Sequence, residues 1–268
     1  MYYCIIRKLN TMSLHSRIKI AGLLSLIAIF AVGTFVYASH SWGTYHWGRT
    51  VNPFTLKLGD NVSSAWDSYL GTTSSDWSQS TVLDTKIVAG STKPRICKPK
   101  SGQVEVCNSK YGFNGWLGVA SIWLSGDHIT QGTVKVNDSY FTTSTYNTPA
   151  WRNLVMCQEV GHTLGLDHQD EDSYNTPLGT CMDYSADPTL NQHPNQHDYD
   201  QLELIYGHLD SITTVSSAIS SLRNSTSDAS DADDQDSVIR RDRKGRPSLY
   251  ERDLGNNEKL FTFIFWAE

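Results

Sequence analysis

The stretch that most constrains this chain is CQEVGHTLGLDHQD, residues 157–170. Gln158 and His162 are four residues apart, so on a helix they project from the same face. Gly165 allows the chain to turn sharply at the end of that helix. His168, three residues further on, can then return toward the same point. The spacing therefore predicts that three polar side chains gather around one metal ion.

The chemistry that such a cluster supports is hydrolysis. A catalytic zinc ion usually has three protein ligands and an open position for water. Glu159, next to Gln158, supplies a carboxylate that can take a proton from that water. Single histidines on helices are usually structural, but two histidines, a glutamate and a helix-ending glycine in this order are far less often accidental. We therefore predict a zinc site.

The helix that carries these residues has recognisable ends. Thr148 can cap it, and Pro149 suits the first helical position. A second helix is predicted after residues 193–195, where apolar side chains recur at helical spacing. Upstream, apolar and β-branched patterns predict four strands and one short helix. The strands are residues 54–58, 81–89, 116–124 and 132–137, and the short helix is residues 62–70.

The N-terminal part of the sequence predicts export. Basic residues precede an uncharged run at residues 20–38, which ends in a small-x-small pattern suited to cleavage before Ser39. An uncleaved anchor is the alternative, because a bilayer-spanning helix needs about 20 residues. In either case the basic flank places the remaining chain outside. We expect residues 1–38 to be a signal peptide or signal anchor, and this anchor to be the only membrane contact.

Charge and cysteine content agree with an exported protein. A net charge of −6 gives no reason to expect a nucleic-acid partner. Four cysteines follow the predicted signal, an even number that suits disulfides in an oxidising compartment. Cys97 and Cys107 flank a turn-rich segment, and we predict a hairpin closed by their disulfide, which would stabilise the fold by about 3 kcal/mol. Two free thiols at a metal site are the rival interpretation.

Residues 158–168 resemble the zinc motif of the metzincins, H-E-x-x-H-x-x-G-x-x-H, and match four of its five defining positions. Metzincins also have a methionine-bearing turn beneath the metal, and residues 179–184 are similar to it. Residues 197–207 are similar to the last helix of matrixin-like catalytic domains. The resemblance covers roughly residues 42–209. It implies that residues 39–209 form an α+β domain with a twisted mixed sheet, the motif helix, the Met-turn and a C-terminal helix.

The resemblance gives each matching residue a role. It implies that His162 and His168 bind zinc, that Glu159 is the general base, and that Met182 is structural. Tyr184 corresponds to a tyrosine that in some relatives reaches the metal or steadies the oxyanion, and a core aromatic is the equal alternative. The implied function is that of a secreted, monomeric zinc endopeptidase. Its protein or peptide substrate would lie extended along a sheet edge.

Gln158 stands where the motif has its first histidine. An amide oxygen is a neutral and poorer zinc donor than imidazole, which leaves three outcomes open. The amide binds zinc directly, Tyr184 or an outside histidine (His193 or His197) completes the ligand set, or the metal is lost. The last outcome would make the domain a catalytically inactive binding module at the cell surface. The presence of Glu159 argues mildly against it.

The resemblance also bears on the other cysteines. It places the Met-turn beneath the motif helix, which implies a disulfide between Cys157 and Cys181. The competing idea is that Cys181 binds the metal as a thiolate. Residues 94–97 faintly echo the inhibitory propeptide segment of matrixins, but they lie inside the domain and Cys97 has a nearby partner. We therefore expect no latency of that kind.

The chain after residue 209 lies outside the resemblance. Serine, threonine and aspartate dominate through Ser237, a composition typical of disordered linkers. A basic patch follows at residues 240–246, and an apolar run at residues 260–266 is too short to cross a membrane. We predict a disordered tail over residues 210–268.

Overall fold

The structure is a computed structural model, and it describes residues 40–216 and 236–268. The predicted signal at residues 1–38 lies outside these ranges. No helix within them is both long enough and apolar enough to cross a bilayer. In chain order the elements are β1 (His46–Trp47), β2 (Phe54–Asn61), α1 (Asp67–Trp77), β3 (Leu83–Ala89), β4 (Gln103–Ser109), β5 (Trp116–Ser125), β6 (His128–Asn137), α2 (Asp138–Phe141), α3 (Pro149–Thr163), a 3-10 turn (Pro188–Leu190), α4 (Gln196–Ile205), β7 (Ser237–Arg241), β8 (Pro247–Gly255) and β9 (Glu258–Trp266).

A single mixed sheet of nine strands organises the described residues, in the order β3-β2-β4-β6-β5-β9-β8-β7, with β1 pairing beside β6. β2 is parallel to both β3 and β4, and β4 is parallel to β6. From β5 onward every neighbouring pair is antiparallel. The predicted α+β class with a mixed sheet is confirmed.

The core lies where α3 packs against β5 and β6. Both strands are buried along nearly their whole length. Two tryptophans on other elements donate indole hydrogen bonds to backbone carbonyls of α3, because a buried N–H group needs an acceptor. Trp47 on β1 donates to the carbonyl of Thr163 at 2.8 Å, and Trp77 on α1 donates to the carbonyl of Cys157 at 3.2 Å. The helix that carries the motif is therefore hydrogen-bonded to its surroundings at its middle and at its C-terminal end.

The helix ends follow the sequence closely, with one exception. α3 begins at Pro149, and the Thr148 hydroxyl accepts from the backbone of Trp151. α4 begins after Asn195, which forms a capping box with the third helical residue. The short helix predicted over residues 62–70 is shifted, because a turn closed by the Trp66 N–H and the Ser63 carbonyl at 2.8 Å separates the end of β2 from the helix. α1 therefore begins at Asp67.

The hairpin predicted around the first disulfide is wrong, although the disulfide is present. Cys97 and Cys107 are bonded, with 5.9 Å between their Cα atoms. Cys107 lies on β4, whose two neighbours are the parallel strands β2 and β6. Since both edges of β4 are taken, no antiparallel partner can form, and Cys97 lies in a turn with a φ of 50°.

The prediction of a disordered tail is wrong for residues 237–266, which form β7, β8 and β9. Residues 217–235 lie outside the described ranges. β8 and β9 are joined through Asn256 and Asn257, whose φ values of 54° and 62° suit a tight hairpin turn. β9 then pairs with β5, so this part of the chain completes the sheet.

Candidate metal centre and active site

Two histidines converge where α3 ends. Gly165, with a φ of 99°, turns the chain after the helix, and a side chain there would meet the carbonyl of Tyr45 at 2.8 Å. The turn brings His168 back to His162. Their Nε2 atoms lie 2.9 Å apart, and their rings meet edge to face at 4.5 Å between centroids. Two of the three side chains predicted to gather, His162 and His168, therefore lie in contact.

The other nitrogen of each imidazole is already engaged. His162 Nδ1 lies 2.9 Å from the carbonyl oxygen of Leu166, and His168 Nδ1 lies 2.9 Å from a carboxylate oxygen of Glu171. Because each Nδ1 must carry hydrogen to donate, each neutral ring has its lone pair on Nε2. Two lone pairs that face each other at this distance need a cation or a proton between them. Burial lowers the pKa of His162 well below its usual value, which favours the neutral form that metals bind.

Gln158 lies on the same helix and is completely buried. Its amide nitrogen donates to the carbonyl of Cys181 at 2.7 Å, which fixes the orientation of the amide. The remaining atom, Oε1, has no hydrogen-bond partner among the described residues. A buried acceptor without a donor costs about 1–3 kcal/mol. Two imidazoles and an otherwise unsatisfied amide oxygen fit a zinc ion.

Glu159 is also completely buried, and its carboxyl group lies against β5. A side chain added at Gly118 would come within 2.4 Å of Glu159 Oε1, so only glycine fits there. Burial raises the pKa of Glu159 well above its usual value, and the backbone N–H of Ala120 offsets only part of the rise. The predicted base is thus held between the motif helix and the strand that would bind a substrate.

Tyr184 lies beside the histidine pair, with its ring 4.4 Å from that of His168. Its hydroxyl group donates to the carbonyl of Ile264 at 3.5 Å, a long and weak contact. Burial raises the pKa of Tyr184 well above its usual value, so the hydroxyl keeps its proton. The residue is both buried in the aromatic core and close to a predicted ligand.

The Met-turn lies beneath the motif helix. A side chain at Gly161 would come within 2.5 Å of Met182 Sδ, so the thioether packs directly on the helix backbone. Cys157 on α3 is bonded to Cys181 in the turn, with a Cα–Cα distance of 5.9 Å. A thiolate ligand at Cys181 is therefore excluded, and the bond joins the helix to the turn.

Neither outside histidine considered as a replacement ligand reaches this centre. His193 is exposed and pairs with Asp76 at 2.7 Å. His197 stacks on His40, with 4.7 Å between ring centroids. Within residues 40–216 and 236–268, some groups of three His, Cys, Asp or Glu side chains have ligand atoms within 4.8 Å of one another. None of these groups contains His162 or His168. Neither of these histidines therefore supplies the third donor that a metal at the pair would need, which leaves Gln158 and Tyr184 as the candidates considered from the sequence.

Sequence reasoning missed the strand that covers the site. The ring of Phe265 lies 5.0 Å from that of Tyr184, and Phe263 packs on His162. Arg240 on β7 binds Asp167 and Glu171, which flank His168. The sequence does carry a signal for this strand. Phe261, Phe263 and Phe265 alternate, and alternation is typical of a strand with one buried face.

No model of a known protein family matches this chain, and no curated protein is similar to it. Among solved structures, it is similar to high choriolytic enzyme 1, a hatching enzyme zinc-protease from Oryzias latipes (medaka fish), with 12% identity and a TM-score of 0.34 over 62% of this chain and 96% of that chain. It is also similar to myroilysin, with 10% identity and a TM-score of 0.35 over 65% of this chain and 97% of that chain. At such scores, neither likeness assigns a function to this chain.

Proposed function

We propose that this chain is a zinc-dependent endopeptidase. The observation that carries the proposal is the pair of imidazole nitrogens, on His162 and His168, that face each other at 2.9 Å while both Nδ1 atoms donate elsewhere. That arrangement suits two ligands of one ion, and Gln158 Oε1 would be the third donor. Zinc in such a site would polarise a peptide carbonyl and acidify a water molecule.

The residues of this chain supply the other steps. An extended peptide would pair with the edge of β5, where Gly118 brings the backbone against Glu159. Glu159 would take the proton of the attacking water and pass it to the leaving amine. Tyr184, beside His168, would donate its hydroxyl hydrogen to the developing oxyanion. Met182 and the Cys157–Cys181 bond would hold the ligand helix in position without touching the substrate.

Export and a monomeric state belong to the same proposal. Two disulfides suit an oxidising compartment outside the cytosol. We propose a protein or peptide substrate because the proposed binding surface is the backbone edge of β5, and pairing with a strand edge is open to any extended chain. We propose no nucleic-acid partner, and no membrane contact apart from an uncleaved anchor at residues 20–38.

A second candidate function is a binding module without catalysis. The observation that favours it is β9, which occupies the edge of β5 from Ser125 to Trp116. Were β9 a permanent part of the sheet, no peptide could reach Glu159. Gln158 would then mark a site whose chemistry has been lost.

The test measures bound zinc and peptide hydrolysis in the same preparations. Because β9 covers the site, the full chain is assayed beside the Arg240→Ala/Phe263→Ala double variant. We expect peptide hydrolysis, which Glu159→Gln should abolish without changing the amount of bound zinc. His162→Ala should abolish zinc binding at this site. Equal hydrolysis with Glu159→Gln would refute the proposed mechanism. A folded chain without hydrolysis in any variant, and without zinc that His162→Ala removes, would support the binding module.

A further inference from the structure

A second cluster of metal-binding side chains lies apart from the proposed active site. His46 on β1 and His128 at the start of β6 each place Nε2 near the same oxygen of Asp210, at 3.3 and 3.2 Å to Oδ1. His208 adds a third imidazole, with its Nε2 3.2 Å from His46 Nε2 and 3.5 Å from Asp210 Oδ1. Three imidazole nitrogens and one carboxylate oxygen therefore share one small space.

We propose that His46, His128, His208 and Asp210 form a second zinc site, closed and structural. Tetrahedral zinc with ligand distances of about 2.0–2.1 Å requires neighbouring donor atoms to lie about 3.3–3.4 Å apart. Of the six separations that four donors have in a tetrahedron, the four that join His46, His128 and His208 to Asp210, or His46 to His208, are 3.2, 3.2, 3.3 and 3.5 Å, close to that value. His46, His128 and Asp210 also have donor atoms that all lie within 4.8 Å of one another. Four protein donors leave no open position, which is typical of structural rather than catalytic zinc.

The hydrogen bonds behind the cluster turn the donor atoms inward. His46 Nδ1 lies 2.6 Å from the carbonyl of Thr44 and donates to it, so the lone pair of the neutral ring is on Nε2. That lone pair faces Asp210 Oδ1, another acceptor. Arg49 holds the other carboxylate oxygen with its guanidinium group at 2.6 Å and its backbone N–H at 3.1 Å. Such outer contacts are those that orient metal ligands.

An ordinary ion pair does not account for this arrangement. Arg49 already compensates the charge of Asp210, so further donors are not needed for neutrality. The rings of His46 and His208 meet edge to face at 4.6 Å, and those of His46 and His128 at 4.9 Å. Edge-to-face rings with converging nitrogens suit ligands of one ion. A zinc ion here would join β1, the start of β6 and the segment after α4.

The test counts zinc in the purified full chain and its variants. We expect two zinc ions per chain. His208→Ala and His128→Ala should both remove the ion of the second site, and His162→Ala should remove the ion of the proposed active site. His193→Ala is the matched control, because His193 and His208 are equally exposed, at 53%, and each pairs with one aspartate. This control should keep both ions.

The outcomes separate this site from the proposed active site. A chain with one zinc ion that is lost in His208→Ala but kept in His162→Ala would support the second site and refute the first. One ion lost only in His162→Ala, or no zinc at all, would overturn the second site. A cobalt-substituted chain gives another readout, since the tetrahedral absorption of cobalt should fall in His208→Ala, whose exposed side chain is the least needed for folding.

A separate observation concerns β9. We infer that residues 236–268 form an internal cover over the active site, an inference that rests on the proposed function. β9 is antiparallel to β5, from Glu258 opposite Ser125 to Trp266 opposite Trp116. That ladder is the one an extended substrate would form with an exposed sheet edge.

Side chains of the same segment reach the site itself. Phe263 on β9 stacks on His162 with 4.3 Å between ring centroids. Arg240 on β7 binds Glu171 at 2.8 Å and both oxygens of Asp167. Since Glu171 accepts from the second histidine of the pair, this arginine contacts the group that orients a predicted ligand. The cover therefore combines backbone pairing, ring stacking and ion pairs.

The cover is tested with the Arg240→Ala/Phe263→Ala double variant and with Arg241→Ala as its control. Arg241 is exposed, and its guanidinium group donates to the carbonyl of Gly245 within the same segment rather than to the site. We expect amide hydrogen exchange in β5 to become faster in the double variant, and peptide hydrolysis to rise at least tenfold, with no change in the control. If the double variant does not fold, Arg240→Gln alone is measured in the same way.

Two results would decide the matter. If the full chain hydrolyses peptide as fast as the double variant, the inference that residues 236–268 cover the active site is refuted. Faster exchange in β5 without any hydrolysis, despite bound zinc, would leave β9 as the cover of a site without peptidase activity, and the proposed function would then be the part that fails.

Discussion

The ring of Phe263 lies parallel to the imidazole of His162, with 10° between their planes and 4.3 Å between their centroids. The phenylalanine comes from β9, in a part of the chain with no counterpart in the sequence motif, and it packs on a side chain that the motif identifies as a ligand. The chain thus places its own apolar residue on the surface that a substrate would need. The chemistry of the site and its accessibility are encoded by different segments.

The role of Gln158 can be tested by restoring the histidine of the motif. We expect Gln158→His to raise zinc affinity by roughly tenfold or more, equivalent to about 1.4 kcal/mol, because imidazole is a better donor than an amide oxygen. Gln158→Asn, with a shorter side chain, should lower the affinity. Zinc titration with a competing chelator measures both. Unchanged affinity in both variants would mean that position 158 does not bind the metal.

Gly118 is predicted to be required for the position of the Glu159 carboxylate, the proposed general base. In Gly118→Ala the added carbon would lie 2.4 Å from Glu159 Oε1, so the carboxyl group must move. We expect hydrolysis to fall by about 100-fold, as for a reacting group displaced by about 1 Å. Gly132→Ala on β6 is the control, since its nearest neighbour would be 3.3 Å away. Equal losses of activity in the two variants would argue against a special role for Gly118.

Gly161 should resist a change that usually stabilises a helix. Alanine is favoured over glycine in helices by roughly 0.8–1.0 kcal/mol, but at this position the added carbon would meet Met182 Sδ at 2.5 Å and Trp77 at 2.8 Å. We expect Gly161→Ala to lower the free energy of unfolding by about 1–3 kcal/mol. Gly71→Ala on α1, where nothing lies within 4 Å, should raise it. Denaturant unfolding of the two variants gives the comparison.

Asp198 should make stability depend on pH. Burial raises its pKa to about 6, although Thr180 and the backbone of Asn195 donate to it. The folded state therefore holds the proton more tightly than the unfolded state, in which the pKa of the aspartate is near its ordinary value of 3.8. The contribution to stability is complete below pH 4, and it falls as the pH rises toward 6. The total loss is about 3 kcal/mol.

The charged and titratable groups facing Asp198 are His40 from the N-terminal segment, His197 on α4 and Asp183 in the Met-turn. The difference between wild type and Asp198→Asn isolates the aspartate from these groups. We expect the asparagine variant to gain relative stability between pH 4 and pH 6, as measured by chemical unfolding at each pH. A difference that is independent of pH would contradict the assignment.

The sequence was most informative where local chemistry decides the structure. The cap at Thr148, the turn at Gly165 and the return of His168 to His162 depend on near neighbours, and the structure has all three as expected. For Cys97 the sequence was less informative. It indicated Cys107 as the disulfide partner, but it did not predict the path of the chain between the two cysteines. Parallel partners far away in the sequence decide that path.

The final strands were missed for a physical reason. Composition up to Ser237 predicts disorder, and an apolar run alone does not show which sheet edge it joins. The hairpin turn at Asn256 and Asn257 was a usable local signal. The cluster that contains His46 and Asp210 could not be predicted from sequence spacing. These two residues lie far apart in the sequence and come together only in the folded chain.

β9 follows every other described strand in the order of synthesis, yet it lies inside the sheet, between β5 and β8. A growing chain therefore has its motif helix and its paired imidazoles available before the strand that buries them has been made. During that interval the backbone of β5 is an open ladder, able to accept any extended segment nearby. If the earlier strands fold before β9 is made, the addition of β9 would compete with every other extended chain that can reach the same edge.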